Sequence, residues 1–226
     1  MAGLVRSTLA EQAYRELRDR ITRGELPPGH RLLPEELGQM LSISPTPVKE
    51  ALLMLQRDGL IEVATRRFSQ VRRFTHSDVA ELYEARLMLE RQAIEAGLAA
   101  GRVDDAFLEQ LAAIAAGYAA RSRRRSRADL REALRLDHAL HTHLATLAGN
   151  ALIIGWHGTI LHQTQTARVY SLESWDAGNI ARAQREHDAI VAALARRDRE
   201  AALSTLADHL AHSRDNVLAR LRDRGG

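Results

Sequence analysis

Four side chains able to bind a metal ion lie on the apolar faces of three predicted helices. Asp137 and His141 are one helical turn apart and continue a stripe of leucines, so both side chains should face the interior. His187 lies in a similar apolar stripe on a later helix, and His209 is flanked by leucines on the last helix. A lone histidine on such a face is usually a hydrogen-bonded core residue. Because an unpaired buried carboxylate is costly, the four residues together predict a shared metal site.

The types of donor in this set indicate which metals would bind. One carboxylate oxygen and three imidazole nitrogens suit Zn²⁺, Ni²⁺, Mn²⁺ or Fe²⁺ and do not suit soft, thiophilic metals. The chain contains no cysteine, so a thiolate site, a cysteine nucleophile and a disulfide scaffold are all excluded. We therefore expect a divalent metal ion as cofactor, with zinc as the first candidate.

A charged side chain also lies in the apolar stripe of an earlier helix, which is predicted at about 78–100. Arg86 follows Leu82 at helical spacing, so its guanidinium should point into the interior. One interpretation is an ion pair with Glu90, four residues further on. The other is a fork for the carboxylate of a bound effector that also fills an open position on the metal. Asn150, beside a helix break, is a further candidate for the same pocket.

The elements that precede these helices follow the order of a winged helix-turn-helix. Thr8 and Glu11 form a capping-box pattern at the start of the first helix. Ser44 suits the N-cap of a later helix, and Pro45 suits its first position. The pattern predicts a helix, a short helix at about 34–41, a turn, a helix ending near residue 58, and strands at 60–64 and 68–73. A small α+β domain without a ligand remains the alternative.

Beyond residue 75 the hydrophobic pattern is helical throughout, which predicts a mainly α protein with two domains. Residues 1–75 would form the winged helix-turn-helix, and residues 76–226 a helical bundle for ligand binding, metal binding and dimerisation. The helices of the bundle are expected at about 78–100, 105–120, 128–148, 151–170, 179–196 and 199–221.

Charge is distributed unevenly between these two parts. Residues 1–75 contain 12 basic and 9 acidic side chains, whereas the rest of the chain contains 20 of each, so the whole net charge of +3 lies in the first part. Lys49, the only lysine, lies on the presumed recognition helix. No apolar run approaches the ~20 residues of a membrane span and no signal peptide is apparent, so we expect a cytoplasmic protein. The candidate DNA-binding residues are Arg31, Ser44, Thr46, Lys49, Arg66 and Arg67.

Several segments resemble the GntR family of bacterial transcription regulators. Residues 24–32, 44–52 and 58–61 resemble its DNA-binding domain, and residues 81–90 resemble the start of the FCD effector domain of its FadR-type branch. The resemblance recurs at residues 137–150 and 187–209. The Asp-x-x-x-His spacing and the later histidines match the metal-binding variety of this domain, which carries the ligand roles onto Asp137, His141, His187 and His209. Such domains commonly bind small organic acids, which favours the effector role of Arg86.

Two positions on the recognition helix depart from the family pattern. Pro45 and Lys49 occupy positions where family members usually have arginine. Arginine binds guanine through two parallel hydrogen bonds, whereas lysine is a flexible point charge and proline has no donor. We still expect DNA binding, but not at the usual operator sequence of the family.

These observations favour a homodimeric transcriptional regulator, a repressor in the simplest case, that binds a near-palindromic operator. A small organic acid at the metal-containing pocket would shift the helices and change the affinity for DNA. The alternative is a metal-dependent hydrolase whose Asp/His₃ site activates water. Against the hydrolase, the nearby Glu132 lies off the ligand stripe, and no other general base accompanies the site. A third possibility is a regulator whose pocket is apolar, takes acyl ligands and binds no metal.

Overall fold

Helices dominate both parts of the chain, which confirms the prediction of a mainly α protein. The structure is a computed structural model that describes residues 7–65, 68–124, 126–169 and 177–223. The chain divides into two units, Met1–Phe74 and Thr75–Gly226. The first unit contains α1 (Leu9–Thr22), β1 (Arg31–Leu32), α2 (Pro34–Leu41), α3 (Pro45–Arg57), β2 (Ile61–Thr65) and β3 (Phe68–Val71). The second contains α4 (His76–Ala99), α5 (Asp105–Ser122), α6 (Arg127–Thr146), α7 (Ala151–Val169), α8 (Ala177–Ala195) and α9 (Arg199–Asp223).

The first helix begins at the predicted capping box. Thr8 Oγ1 accepts a hydrogen bond from the Glu11 amide at 3.1 Å, and the Glu11 carboxylate accepts one from the Thr8 amide at 3.0 Å. The buried face of α1 includes Leu17 and Ile21, which belong to the same core as Val48 of α3. This aliphatic core fixes α1 against α3 and so holds the helix-turn-helix together.

The turn between α2 and α3 is tight enough to require a glycine before it. A Cβ on Gly38 would lie 2.8 Å from the carbonyl oxygen of Ile43, a distance too short for a stable contact. Ser42 then takes a left-handed conformation with φ of 56° and ends α2. This short turn brings α2 into contact with α3.

A three-stranded antiparallel sheet in the order β1-β3-β2 completes the first unit. The sequence predicted β2 and β3 but not β1, which is only two residues long. Val71 of β3 holds the segment before β1 in place. Its carbonyl oxygen accepts a hydrogen bond from the Gly29 amide at 2.7 Å, and its amide donates to the His30 carbonyl oxygen at 3.0 Å. The extra strand attaches the β2–β3 wing to the segment that precedes α2.

The second unit is the predicted bundle of helices. Helix α4 packs against α6, α7 and α9, while α5 packs against α6 and α8. Helix α4 begins at His76, slightly earlier than predicted, because Thr75 and Asp78 form a second capping box. Within the described residues, no helix is long and apolar enough to cross a membrane.

Close packing in the bundle makes one glycine sensitive to substitution. A Cβ on Gly97 of α4 would lie 2.7 Å from Cβ of Leu147, whereas a Cβ on Gly158 of α7 would have no neighbour within 4 Å. We expect Gly97→Ala to lower the free energy of unfolding by about 1–3 kcal/mol through overpacking. Gly158→Ala should raise it by about 0.5–1 kcal/mol because alanine loses less backbone entropy in a helix. Urea denaturation of both variants measures the contrast, and equal effects would contradict it.

Candidate functional site

The four residues predicted as metal ligands lie together in the interior of the bundle. Asp137 and His141 come from α6, His187 from α8 and His209 from α9. All four side chains are buried, and one donor atom from each lies within 4.8 Å of the other three. The helical period of α6 presents Asp137 and His141 on the face that packs against the interior.

Two carboxylates that the sequence analysis did not assign to the site orient two of these histidines. Nδ1 of His141 lies 2.7 Å from Glu90 Oε2, and Nδ1 of His209 lies 2.9 Å from Glu186 Oε2. Neighbouring histidines help to hold the pKa of both carboxyls below the usual value, against the effect of burial, so each carboxylate accepts and each Nδ1 donates. The lone pairs on Nε2 are therefore left to bind a metal, as in other carboxylate–histidine pairs at metal sites.

The two Nε2 atoms face each other across a short distance. His141 Nε2 lies 3.1 Å from His209 Nε2. Burial lowers the pKa of His141 to about 3 and also lowers that of His209, so both rings are neutral at physiological pH. Two lone pairs at this distance repel each other unless they share a cation. The arrangement therefore fits a bound metal ion better than a simple hydrogen-bonded pair.

The surroundings of His187 give independent support for a metal site. Both of its ring nitrogens are buried, and neither has a hydrogen-bond partner among the described residues. Its Nε2 lies 3.4 Å from Asp137 Oδ1, on the side of the other donors. Buried polar atoms normally make hydrogen bonds, so an imidazole that makes none and lies beside the Asp137 carboxylate and two other histidines fits a site for an ion.

Asp137 also pairs with Arg168, a residue that sequence reasoning missed. The guanidinium of Arg168 donates to both carboxylate oxygens of Asp137, and both side chains are buried. Burial opposes ionisation of Asp137, but Arg168, together with His187 and His141, holds its pKa well below the usual value. The carboxylate is therefore charged and available to a cation at neutral pH.

Arg86 lies in the interior, as its stripe predicted, but pairs with Glu90. Its Nε donates to Glu90 Oε1 at 3.1 Å, and His157 Nε2 lies 3.1 Å from the same oxygen. Nη2 of Arg86 is buried without a partner among the described residues. The ion pair left open by the sequence is thus formed, and it is buried rather than exposed. Arg86 thereby neutralises the carboxylate that orients His141.

A cavity opens beside the donor cluster, between α5, α7, α8 and α9. Its described lining includes His209 and Arg168, together with Tyr118, Glu186, Asn179, Asn216, Arg182 and Arg220. Arg86 and Asn150 are not part of this lining. The role of Asn150 in an effector pocket stays a prediction; the residue is exposed, and its Oδ1 accepts from the amides of Leu152 and Ile153 at the start of α7. Asparagine before a helix commonly acts as such a cap.

The candidate DNA-binding residues of α3 lie exposed at its N-terminus. Ser44, Thr46 and Lys49 are all solvent-accessible. Ser44 occupies the predicted N-cap position, but its side chain makes no capping hydrogen bond. Pro47, at the third helical position, has no N–H, which removes one of the two usual donors to an N-cap side chain.

One further candidate DNA-binding residue lies on a strand of the sheet. Arg31 on β1 is exposed, and its guanidinium lies 4.8 Å from the ring centroid of Phe68 on β3. Arg66 and Arg67, predicted at the wing tip, lie outside the described residues. The structure thus positions Arg31 and the three residues of α3 on the first unit.

Comparison with known proteins identifies both parts of the chain. Residues 9–71 match the model of the bacterial regulatory proteins of the gntR family, and residues 81–212 match the FCD domain. The HTH-type transcriptional regulator YdhC of Bacillus subtilis is 33% identical over 84 residues, which cover 37% of this chain and only 38% of that protein. The HTH-type transcriptional repressor NanR of Cronobacter sakazakii is 29% identical, over 92% of this chain and 84% of its own length. E. coli McbR/YncC has the same fold, with a TM-score of 0.83 at 19% identity over 98% of this chain and 100% of that one.

The matched domains and relatives identify the class of the protein as that of DNA-binding transcriptional regulators. The chain belongs to the GntR family of bacterial regulatory proteins and carries an FCD domain. The matched domains and relatives are regulators and not enzymes, so the hydrolase alternative has no support.

Proposed function

We propose that this regulator binds a near-palindromic operator as a homodimer, with an affinity that depends on a small organic acid bound at a metal centre in the FCD domain. The observation that carries the proposal is the buried set of Asp137, His141, His187 and His209, whose donor atoms converge beside a cavity that is lined by arginines. NanR, which matches most of this chain, is named a repressor, and this supports repression as the mode of action.

The donor set supports a divalent metal, with Zn²⁺ as the first candidate. Three neutral imidazoles and one carboxylate match the nitrogen and oxygen ligands of zinc, while Ni²⁺, Mn²⁺ and Fe²⁺ remain compatible. A bound ion would supply positive charge that attracts an anionic ligand. The cavity adds Arg168, which meets the cluster through Asp137, and Arg182 on α8. Positive charge on both sides favours an organic anion over an acyl chain.

The first unit supports the DNA-binding role. In winged helix-turn-helix proteins, the N-terminal residues of the second helix of the motif contact base edges in the major groove. We assign this role to Ser44, Thr46 and Lys49, while Arg31, Arg66 and Arg67 would contact phosphates of the backbone. Residues 1–75 thus form the DNA-binding domain, and residues 76–226 the domain for metal, effector and dimerisation.

Selection from randomised double-stranded DNA tests this proposal directly. The zinc-loaded protein should enrich a near-palindromic sequence at physiological salt, and small organic acids should change its affinity for that sequence. We expect a change of about fivefold or more, the usual lower range of allosteric coupling, and expect it to vanish after removal of the metal. Binding without preference over competitor DNA would overturn the regulator model, and an unchanged response without metal would overturn the role of the ion.

Helices α4 and α7 pack against each other, and each carries large exposed apolar side chains suited to a dimer contact. Trp156 and Leu152 of α7 are 60% and 65% exposed and lie one helical turn apart, and Met88 of α4 is 67% exposed. Large apolar side chains grouped on packed helices mark protein interfaces, and tryptophan is enriched among the residues that dominate binding energy. We therefore assign the homodimer contact to this face.

Substitution of Trp156 by lysine should dissociate the dimer. The loss of a buried aromatic anchor typically costs about 2 kcal/mol or more, which corresponds to a dimer at least about thirtyfold weaker. Leu53→Lys provides the control, since Leu53 is 66% exposed but lies on α3 in the first unit. Sedimentation velocity measures both variants. A Trp156→Lys protein that remains as dimeric as the control would exclude this face.

A further inference from the structure

Leu53 is a large apolar side chain on the exposed face of α3. It is 66% exposed, whereas the opposite face of the same helix is buried and consists of Val48, Ala51, Leu52 and Leu55. Most of the Leu53 side chain therefore lies outside the core of the first unit. Single exposed leucines are common on protein surfaces, so the neighbours of this one decide what it does.

Leu53 shares its face of α3 with two of the side chains assigned above to DNA recognition. Thr46 and Lys49 precede it by seven and four positions, which is two turns and one turn of the helix. Glu50 lies on the same face, and all four side chains are exposed. The four positions are spaced i, i+3, i+4 and i+7. Homeodomains read base edges with side chains at this same spacing on their recognition helix, so Leu53 lies within the part of α3 that can reach bases.

The chemistry around Leu53 favours contact with a base over contact with a phosphate. Phosphate oxygens bind cations and hydrogen-bond donors, and a leucine side chain offers neither. Glu50, about one turn before Leu53, would be repelled by a phosphate. In the major groove, the apolar group that a base pair presents is the C5-methyl group of thymine. An exposed leucine on this face therefore gains contact energy from thymine and not from the polar edges of the other bases.

We propose that Leu53 selects a thymine in each half-site of the operator through van der Waals contact with its C5-methyl group. The proposal rests on the DNA-binding role proposed above for α3 and adds a specificity-determining residue to it. Lys49 then supplies a charged contact and Leu53 an apolar contact from the same helical face. Each half-site should contain a thymine whose methyl group contributes to the affinity, independently of the hydrogen bonds that the base can form.

Replacement of thymine by uracil tests the proposal, because it removes the methyl group and keeps every hydrogen-bonding group of the base. The full-length, zinc-loaded protein would first select its sequence from randomised DNA, and each selected thymine would then be replaced in turn. At one position, uracil should weaken binding about fourfold in one half-site and about fifteenfold in both, the fold-changes expected from burial of one and two methyl groups. Fluorescence anisotropy at physiological salt measures these affinities.

Leu53→Ala provides the matching change in the protein. Alanine is the best helix former and Leu53 is exposed, so α3 should remain folded in this variant. The variant should bind the thymine and uracil operators equally well, whereas the wild type distinguishes them. In a repeated selection, it should lose the preference for thymine at that position and keep the rest of the sequence. Leu9→Ala is the control, since Leu9 is 55% exposed but lies on α1, and this variant should distinguish the two operators as the wild type does.

The remaining outcomes distinguish this proposal from the function on which it rests. Failure of the wild type to enrich any sequence would overturn the proposed sequence-specific regulator. An enriched sequence without thymine, or one in which uracil replaces every thymine without loss of affinity, would overturn only the role of Leu53. A loss with uracil that persists in Leu53→Ala would mean that another methyl group, such as that of Thr46, contacts the thymine, and this would also overturn the role of Leu53.

Discussion

Replacement of His187 by leucine should abolish stoichiometric metal binding without destabilising the metal-free protein. Leucine has a similar volume but no donor atom, and it replaces an imidazole whose two buried nitrogens make no hydrogen bond to the described residues, while Asp137 keeps its pairing with Arg168. The affinity for Zn²⁺ should fall by more than a hundredfold, since even the loss of an outer hydrogen-bond partner costs about 10–100-fold. Elemental analysis of purified protein and competition with a chelator measure the loss.

The matched variant His141→Leu should lose the metal for the same reason but should also lose stability. His141 pairs with the buried carboxylate of Glu90, which would keep Arg86 and His157 but lose its shortest contact. Loss of a hydrogen bond to a buried charged group typically costs about 1.5–3 kcal/mol, so the metal-free variant should unfold at a lower urea concentration. His143→Ala is the control, because His143 bonds to the Phe107 carbonyl and lies outside the cluster. One ion per chain retained in His187→Leu, or none in wild type after incubation with each metal, would contradict the site.

Reversal of the charge at Lys49 should reduce operator affinity by at least about a hundredfold. The side chain is exposed on the first turns of α3, where it would contact a base edge or a phosphate. Glutamate would replace that attraction with repulsion from the DNA backbone. If Lys49 contacts a base, Lys49→Ala should weaken the free energy of DNA binding by about 1–3 kcal/mol. The loss of affinity should then be greatest for the sequence enriched by selection from randomised DNA. Fluorescence anisotropy on the selected and scrambled sequences measures both effects.

Arg57→Glu serves as the control for this charge reversal. Arg57 lies at the opposite end of the same helix and is also exposed, so the net charge changes equally. Its substitution should weaken binding only a few-fold, with the same effect on every sequence. Similar losses in the two variants would show that α3 binds DNA through overall charge, and would contradict its role as the recognition helix.

Local patterns were sufficient to predict most of the first unit. Thr8 and Glu11 formed the capping box at the expected place, because capping depends on residues only three positions apart. Strand β1 was missed, because a two-residue strand has no period of its own and forms only through its contact with Val71. The sequence also shows that Pro47, which has no N–H, removes one of the two usual donors to the side chain of Ser44.

In the second unit, the sequence determined which side chains face the interior, and the tertiary structure decided which of them meet. Helical period alone placed Asp137, His141 and Arg86 on buried faces. It left open whether Arg86 would pair with Glu90 or bind an effector, and it did not predict that Arg168 and Tyr118 would border the cavity. Those contacts depend on the rotation and axial offset of each helix against its neighbours. These two quantities are set by side-chain packing across the whole bundle, and no spacing along a single helix encodes them.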